Sequence, residues 1–445
     1  MQIGVFVNKI LDMIKHMNTF LWGGPLLFLL IGVHLFFTLR LKFVQKYVFK
    51  GIRLSVSPES GDGDTSSFAA LTTTLAATLG VGNIIGVSTA VALGGAGAIF
   101  WCWLTGIFGM ATTYAECYLG VLFRKKTKSG SFLGGPMYTL EYGLKQKPIA
   151  ILFALLTLLA AYGIGCSTQS NSITETVHSL WGVSPYISGF IAALITGLVI
   201  VGGVHSIGTI CMRLVPAMGA FYIIACTILL VMNASYIVPA ISFILRSAFL
   251  PEAMMAGFIG STIKTAARYG ITRGLFTNEA GLGTAAIAAA SAKTKTPHNQ
   301  ALISMTATFW DTVVMCAITG LVIVSSILKN PASVIGFSQS ELTTAAFAQL
   351  PFGVEILSFA IVSFALATLI GWSYFGEKAV EYLFGVGGIK AYKVCYIVMI
   401  FVGGILSLEF VWELSDLISA FMIMPNVLSL LMLNRYVSEN KGFEG

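Results

Sequence analysis

Runs of roughly twenty apolar residues, the length that crosses a bilayer as an α-helix, recur along the whole sequence. A chain in lipid must satisfy its backbone polar groups internally, so repeated runs of this length point to a helical bundle. Hydropathy places about eleven spans, at 19–40, 68–98, 97–123, 149–178, 184–203, 211–233, 263–292, 299–328, 353–380, 390–408 and 412–434. Charged residues make up 10% of the 445, whereas soluble domains carry about 25%. The mean hydropathy of +0.86 agrees. The expected class is an all-α polytopic membrane protein, one transmembrane domain over 1–445. The first apolar run, from about Phe20 to Phe37, is long for the core of a cleaved signal and passes straight into basic residues, so it reads as a span.

The net charge of +7 is not a nucleic-acid signal, because Lys and Arg gather in short connections between spans. Lys42, Lys46, Lys50 and Arg53 follow the first span, and Arg124, Lys125, Lys126 and Lys128 the third. Lys293 and Lys295 follow the seventh, and Lys390 and Lys393 the ninth. The positive-inside rule makes that side cytoplasmic. The N-terminus is then expected outside, the C-terminus inside, and the chain in the cell membrane. Seven cysteines lie mostly within spans with no CxxC, which reads as small buried hydrophobes. The sequence holds no GxxxxGK[ST], HExxH or GxSxG, and its five histidines are scattered. Neither ATP-driven transport nor an enzyme is expected.

Two spans differ from the rest. The second has Leu79-Gly80-Val81-Gly82-Asn83 at its middle, and the seventh has Asn278-Glu279-Ala280-Gly281-Leu282-Gly283. Glycine costs a helix interior about 1 kcal/mol relative to alanine. Paired glycines among polar residues at mid-membrane therefore predict unwound backbone, which is tolerated only where protein buries it or it lines a cavity. The two spans are five apart. With 19–40 as an extra helix, 68–233 and 263–434 become two five-helix units of opposite membrane orientation, each opening on a discontinuous helix, with the substrate site where these cross.

A broken helix offers N–H groups to an anion at one end and carbonyls to a cation at the other. Two such helices suit an amino acid without needing a charged side chain, and no Lys or Arg lies between Ala69 and Phe123. Thr78 and Thr368 each adjoin an expected gap and are the better hydroxyl ligands for a hard cation, whereas Thr72 to Thr74 read as bonding to their own helix. Thr277 and Asn278 flank the second gap, Asn83 follows the first, and Gln169 lies within the fourth span. Phe276 and Trp372 are candidate walls for a small side chain. Of the intramembrane acids, Glu279 can contact a substrate amine, carry a proton or pair with Arg273, the structural or gating role being the preferred expectation, and Asp311 is a cap, gate or ligand. Glu116 and Glu377 have no assigned role.

These residues resemble the sodium:alanine (or glycine) symporters of bacteria and archaea. Arg273-Gly-Leu-Phe276-Thr-Asn278-Glu279-Ala-Gly281-Leu-Gly283 is similar to the family's RGxFSNEAGxGS signature, and Thr78-Leu-Gly80-Val-Gly82-Asn83-Ile to its TxGxGNI segment. Gly134-Gly-Pro136-Met-Tyr138, Gln169 to Asn171, Asp311-Thr312 and Gly371-Trp372 also fit. The resemblance implies a fold of the leucine-transporter type and Na⁺-coupled uptake of alanine or glycine by alternating access. It implies substrate contacts from Thr78, Gly80, Gly82, Asn83, Gln169, Phe276, Asn278 and Trp372. It also implies a sodium ion held by carbonyls of Ala76, Leu79 and Phe364 and the hydroxyl of Thr368. Two positions depart from the pattern: Ala367 stands where members often carry Ser, and Val81 where they often carry Thr. The first removes a hydroxyl from the ion site, so weaker sodium dependence or partial proton coupling is the alternative, with a passive channel the other.

Overall fold

The computed structural model of the protein describes residues 2–57, 61–127, 130–250, 262–334, 338, 341–406 and 408–438; Lys128 of the second basic connection lies outside them. The chain opens with α1 (Gln2–Trp22) and α2 (Pro25–Arg40), and the stretch Lys9–Arg40 is apolar enough to span. A short helix, α3 (Val48–Ser55), occupies part of the first basic connection, which the sequence presents as a loop.

The first unit follows. Helices α4 (Ser67–Thr78) and α5 (Ile85–Gly94) are one span bent by 60° at its middle. Then come α6 (Gly97–Leu122) and α7 (Lys147–Tyr162), the latter passing through a π-turn at Gly163–Ser167 into α8 (Thr168–Trp181). The unit ends with α9 (Pro185–Val201) and α10 (Gly203–Met232). A further apolar helix, α11 (Ala234–Phe249), lies in the connection that the sequence reading left without an element. It caps the start of α6. Trp101 Nε1 donates to the Ala248 carbonyl at 3.2 Å, and Gly97 backs onto Ser247 so closely that a Cβ would overlap its carbonyl.

The second unit repeats the plan. Its interrupted span is α12 (Ile263–Asn278) and α13 (Thr284–Ala289). Next, α14 (Pro297–Thr308) runs through a π-helical stretch at Phe309–Cys316 into α15 (Ala317–Lys329). Then come α16 (Leu342–Phe347), α17 (Gly353–Phe384), α18 (Ile389–Gly403) and α19 (Leu408–Met432). Among the described residues eight helices are long and apolar enough to cross a membrane, and the bent pair makes a ninth. The shorter α9 and the interrupted α12–α13 complete the eleven expected spans. The architecture is two inverted five-helix repeats with discontinuous helices plus one extra N-terminal helix.

Local chemistry fixes where the spans begin. Ser66, Thr262 and Thr296 cap α4, α12 and α14 by accepting from the N–H groups of Ala69, Thr265 and Asn299. Proline sits in the first turn of α7, α9 and α14, where a missing N–H costs nothing. Small residues then let helices approach closely. A Cβ on Gly371 of α17 would lie 2.6 Å from the backbone nitrogen of Ala77 in α4, and one on Gly165 would overlap Trp372.

Gly371→Ala is therefore expected to destabilise the protein by about 1–3 kcal/mol through overpacking. Gly219→Ala, in α10 with nothing within 4 Å of the added carbon, serves as the control. Thermal unfolding in detergent checks this: the midpoint should fall for the first and hold or rise slightly for the second.

Candidate functional site

The first interruption begins where α4 stops. Leu79 leaves helical geometry at ψ 76° and Gly80 is extended, after which a single 3₁₀ turn, Val81–Asn83, leads into α5. Asn83 organises the turn. Its Oδ1 accepts from Gly80 N at 3.1 Å, and its Nδ2 donates to the Asp311 carboxylate at 2.7 Å and the Asp311 carbonyl at 3.1 Å. The other Asp311 oxygen accepts from Thr312 Oγ1 at 2.6 Å. Asp311 lies inside the π-helical stretch of the eighth span, so it acts as a mid-span brace for the break rather than as a helix cap.

The second interruption is held from both sides. Glu279 takes left-handed backbone at φ 54°, and Gly281 and Gly283 follow at φ 102° and 86°, conformations that glycine adopts without strain. Glu116 on α6 accepts from Gly281 N at 2.8 Å, and Asn426 on α19 donates to Glu116 Oε1 at 2.6 Å and to the Gly281 carbonyl at 2.8 Å. The Glu279 carboxylate accepts from Trp372 Nε1 at 3.0 Å and from Thr284 Oγ1 at 2.6 Å. The expected pairing of Glu279 with Arg273 is thus replaced. The left-handed turn aims the carboxylate at α17, while Arg273 lies over the ring of Trp412, 5.4 Å from its centroid. Trp412 in turn stacks on Phe276 at 5.1 Å.

Between the interruptions lies a cavity of about 240 Å³. Thr78, Gly80, Gly82, Gln169, Phe276 and Trp372 line it, so six of the eight residues expected around a substrate come together. Ala77, Ile164, Thr277, Glu279 and Thr368 complete the lining, which includes no Lys or Arg. The hydroxyl of Thr78 is buried there without a hydrogen-bond partner. Gln169 reaches in from the first turn of α8: its Nε2 donates to Ile164 O in the π-turn at 3.3 Å, and its Oε1 faces Val81 N at 3.5 Å. Asn83 and Asn278 are not in the lining. Asn83 is turned toward Asp311, and Asn278 uses its Oδ1 to accept from Ala280 N at 3.0 Å, leaving Nδ2 buried and unpaired.

Three of the four expected ion ligands meet beside this cavity. Thr368 Oγ1 stands 3.0 Å from the Ala76 carbonyl and 3.1 Å from the Phe364 carbonyl. Its one hydrogen can serve only one of them at a time, and the Phe364 contact is the i−4 bond usual for a threonine within a helix. Leu79, the fourth, is the residue at which α4 ends. Ala367 is wholly buried and adds no oxygen. Gly80 links the two places: a Cβ there would lie 2.8 Å from Thr368 Oγ1 and 3.3 Å from Gln169 Oε1.

Sequence reasoning missed Asn426 and the role of Glu116. The available signal was an amide and an acid placed within membrane spans, which lipid penalises unless they bond to something.

The family model described as the sodium:alanine symporter family matches residues 7–442. The sodium/alanine symporter AgcS of Methanococcus maripaludis is 46% identical over 442 residues, 97% of each chain. Among solved structures, MhsT in complex with L-phenylalanine superposes with a TM-score of 0.58 at 15% identity, over 84% of this chain and 89% of that one. A Na⁺-coupled sialic acid symporter in a substrate-bound outward-open state gives 0.57 at 13%, over 92% and 87%. These two likenesses establish a fold of the leucine-transporter type. By the match across nearly its whole length, the chain belongs to the sodium:alanine symporter family.

Proposed function

We propose that the protein is a secondary active symporter that carries a small neutral amino acid, alanine or glycine, into the cell with Na⁺ by alternating access. One observation carries the reading. Two interrupted helices bound a polar cavity at mid-membrane that has no cationic side chain in its lining and a buried, unpaired Thr78 hydroxyl facing it. Phe276 and Trp372 close in on Gly80 and Gly82 around a small space, which suits a substrate with few heavy atoms. The membership in a sodium:alanine family and the name of the M. maripaludis relative support the same substrate class.

In this reading Thr78, Gly80, Gly82, Gln169, Phe276 and Trp372 contact the amino acid, with the aromatic pair bounding its side chain. Asn83 and Asn278 act one layer back, fixing the backbone that the substrate touches. Sodium sits among the carbonyls of Ala76, Leu79 and Phe364 and the hydroxyl of Thr368. The N-terminus lies outside and the C-terminus in the cytoplasm, with the Lys- and Arg-rich connections inside.

Proteoliposomes with an imposed Na⁺ gradient are expected to accumulate labelled L-alanine above its external concentration. Equilibration without accumulation would instead mark a passive facilitator. In Thr368→Ala the half-saturating Na⁺ concentration should rise about fivefold or more, roughly 1 kcal/mol, with alanine affinity at saturating Na⁺ nearly unchanged. Equal shifts in both would remove Thr368 from the ion site. Glu279→Met keeps the size but removes both acceptors, leaving the buried Trp372 Nε1 and Thr284 Oγ1 donors without their partner. Alanine binding measured by thermal shift should weaken by about 1–3 kcal/mol, and unchanged binding would mean that Glu279 does not set the cavity wall.

A further inference from the structure

A second cavity, of about 190 Å³, lies farther along the same helices. Thr65 before α4, Thr73 within α4, Ser291 after α13 and Tyr374 on α17 each bring a hydroxyl to it. Thr73 precedes Thr78 by five residues, about 7.5 Å along a helix, and Tyr374 follows Trp372 by two, so the two cavities are stacked on α4 and α17. Thr73 donates to the Ala69 carbonyl at 2.8 Å. Ser291 donates to the Ala288 carbonyl at 2.9 Å and lies 3.1 Å from Thr65 Oγ1. The Tyr374 hydroxyl is different. Tyr374 is 2% exposed, and its oxygen makes no hydrogen bond of good geometry, the Ser291 side chain being close enough to act on it. A buried hydroxyl in that state favours any ligand that can bond to it. Charges of both signs stand close by. Lys378, paired with Glu381 at 2.9 Å, lies 5.6 Å from the Tyr374 ring centroid, and Asp64 and Glu377 also act on Tyr374 electrostatically.

The far side of this cavity is stitched shut. Asp64 N and Thr65 N donate to the Ser291 carbonyl at 2.7 and 3.1 Å, and Lys293 N donates to the Thr65 carbonyl at 2.7 Å. Arg124 crosses the seam. Its Nη1 donates to the Ala290 and Ala292 carbonyls at 3.1 and 2.8 Å, and its Nη2 to the Asp62 carbonyl at 2.7 Å. The seam thus joins the segment entering the first interrupted helix to the segment leaving the second.

We propose that the second cavity is a release station, which the amino acid occupies after leaving the first cavity and before the Arg124 seam opens. This inference rests on the functional reading above. The two cavities share helices α4 and α17, so a ligand leaving the first meets the second on its way toward the seam. Four hydroxyls with charges of both signs nearby suit a zwitterion better than a bare cation.

The test uses the full chain and L-alanine in right-side-out and inside-out membrane vesicles, with Tyr374→Phe and the near-isosteric Thr73→Val. Both variants should raise the KM for alanine presented from the seam side by about three- to tenfold. The KM from the opposite face and the alanine thermal shift should move less than about twofold. A seam-side KM unmoved in both variants, or one that rises equally from both faces, overturns the release station. Wild-type protein that accumulates no alanine would overturn the functional reading instead, so the two failures are distinguishable.

Discussion

A peptide group opened at the middle of a bilayer finds no water to bond with, so the two interrupted helices stand only because buried side chains hold their loose ends. Three carboxylates share that work. Asp311 anchors Asn83, which in turn holds Gly80 N. Glu116, with Asn426, grips Gly281. Glu279 ties its own turn to Thr284 and to the indole of Trp372. Each acid would be costly in lipid by itself. Bonded in this way, Asp311 and Glu116 fix the breaks from behind and Glu279 from the cavity wall, and the cavity lining holds no cationic side chain.

Helix α17 is the strut against which this arrangement closes. Gly371 admits the backbone of α4, Trp372 reaches the second break, and Thr368 touches the carbonyl of Ala76. On the proposed reading this contact couples ion to substrate. An ion held by Thr368 and Ala76 steadies the end of α4, and that same end presents Thr78 and Gly80 to the amino acid. Gly80 leaves no room for a side chain between the two, which accounts for glycine at this point as well as its backbone freedom does.

Much of this was legible in the sequence. Apolar runs set the spans, and glycine pairs among polar residues marked both breaks. The spacing of those breaks gave the inverted repeat, and six of the eight expected substrate residues line one cavity. Side-chain direction was not legible. Asn83 and Asn278 adjoin the breaks in sequence, yet Asn83 turns to Asp311 and Asn278 accepts from Ala280 N, so neither lines the cavity. The left-handed backbone of Glu279 turns its carboxylate to Trp372 and away from Arg273, the partner that closeness in sequence suggests. Asn426 is 145 residues from the Gly281 carbonyl it bonds, a distance no local pattern reports. Helix α11, at 16 residues, is too short an apolar run to read as a span, and it caps α6 instead.

The most direct test of the central claim is a density map of the protein with L-alanine and Na⁺ bound. The expected map shows both helices interrupted, the amino acid between Thr78, Gly80 and Trp372, and an ion within reach of Thr368 and the Ala76 carbonyl. Two continuous helices, or alanine bound away from the interruptions, would contradict the account.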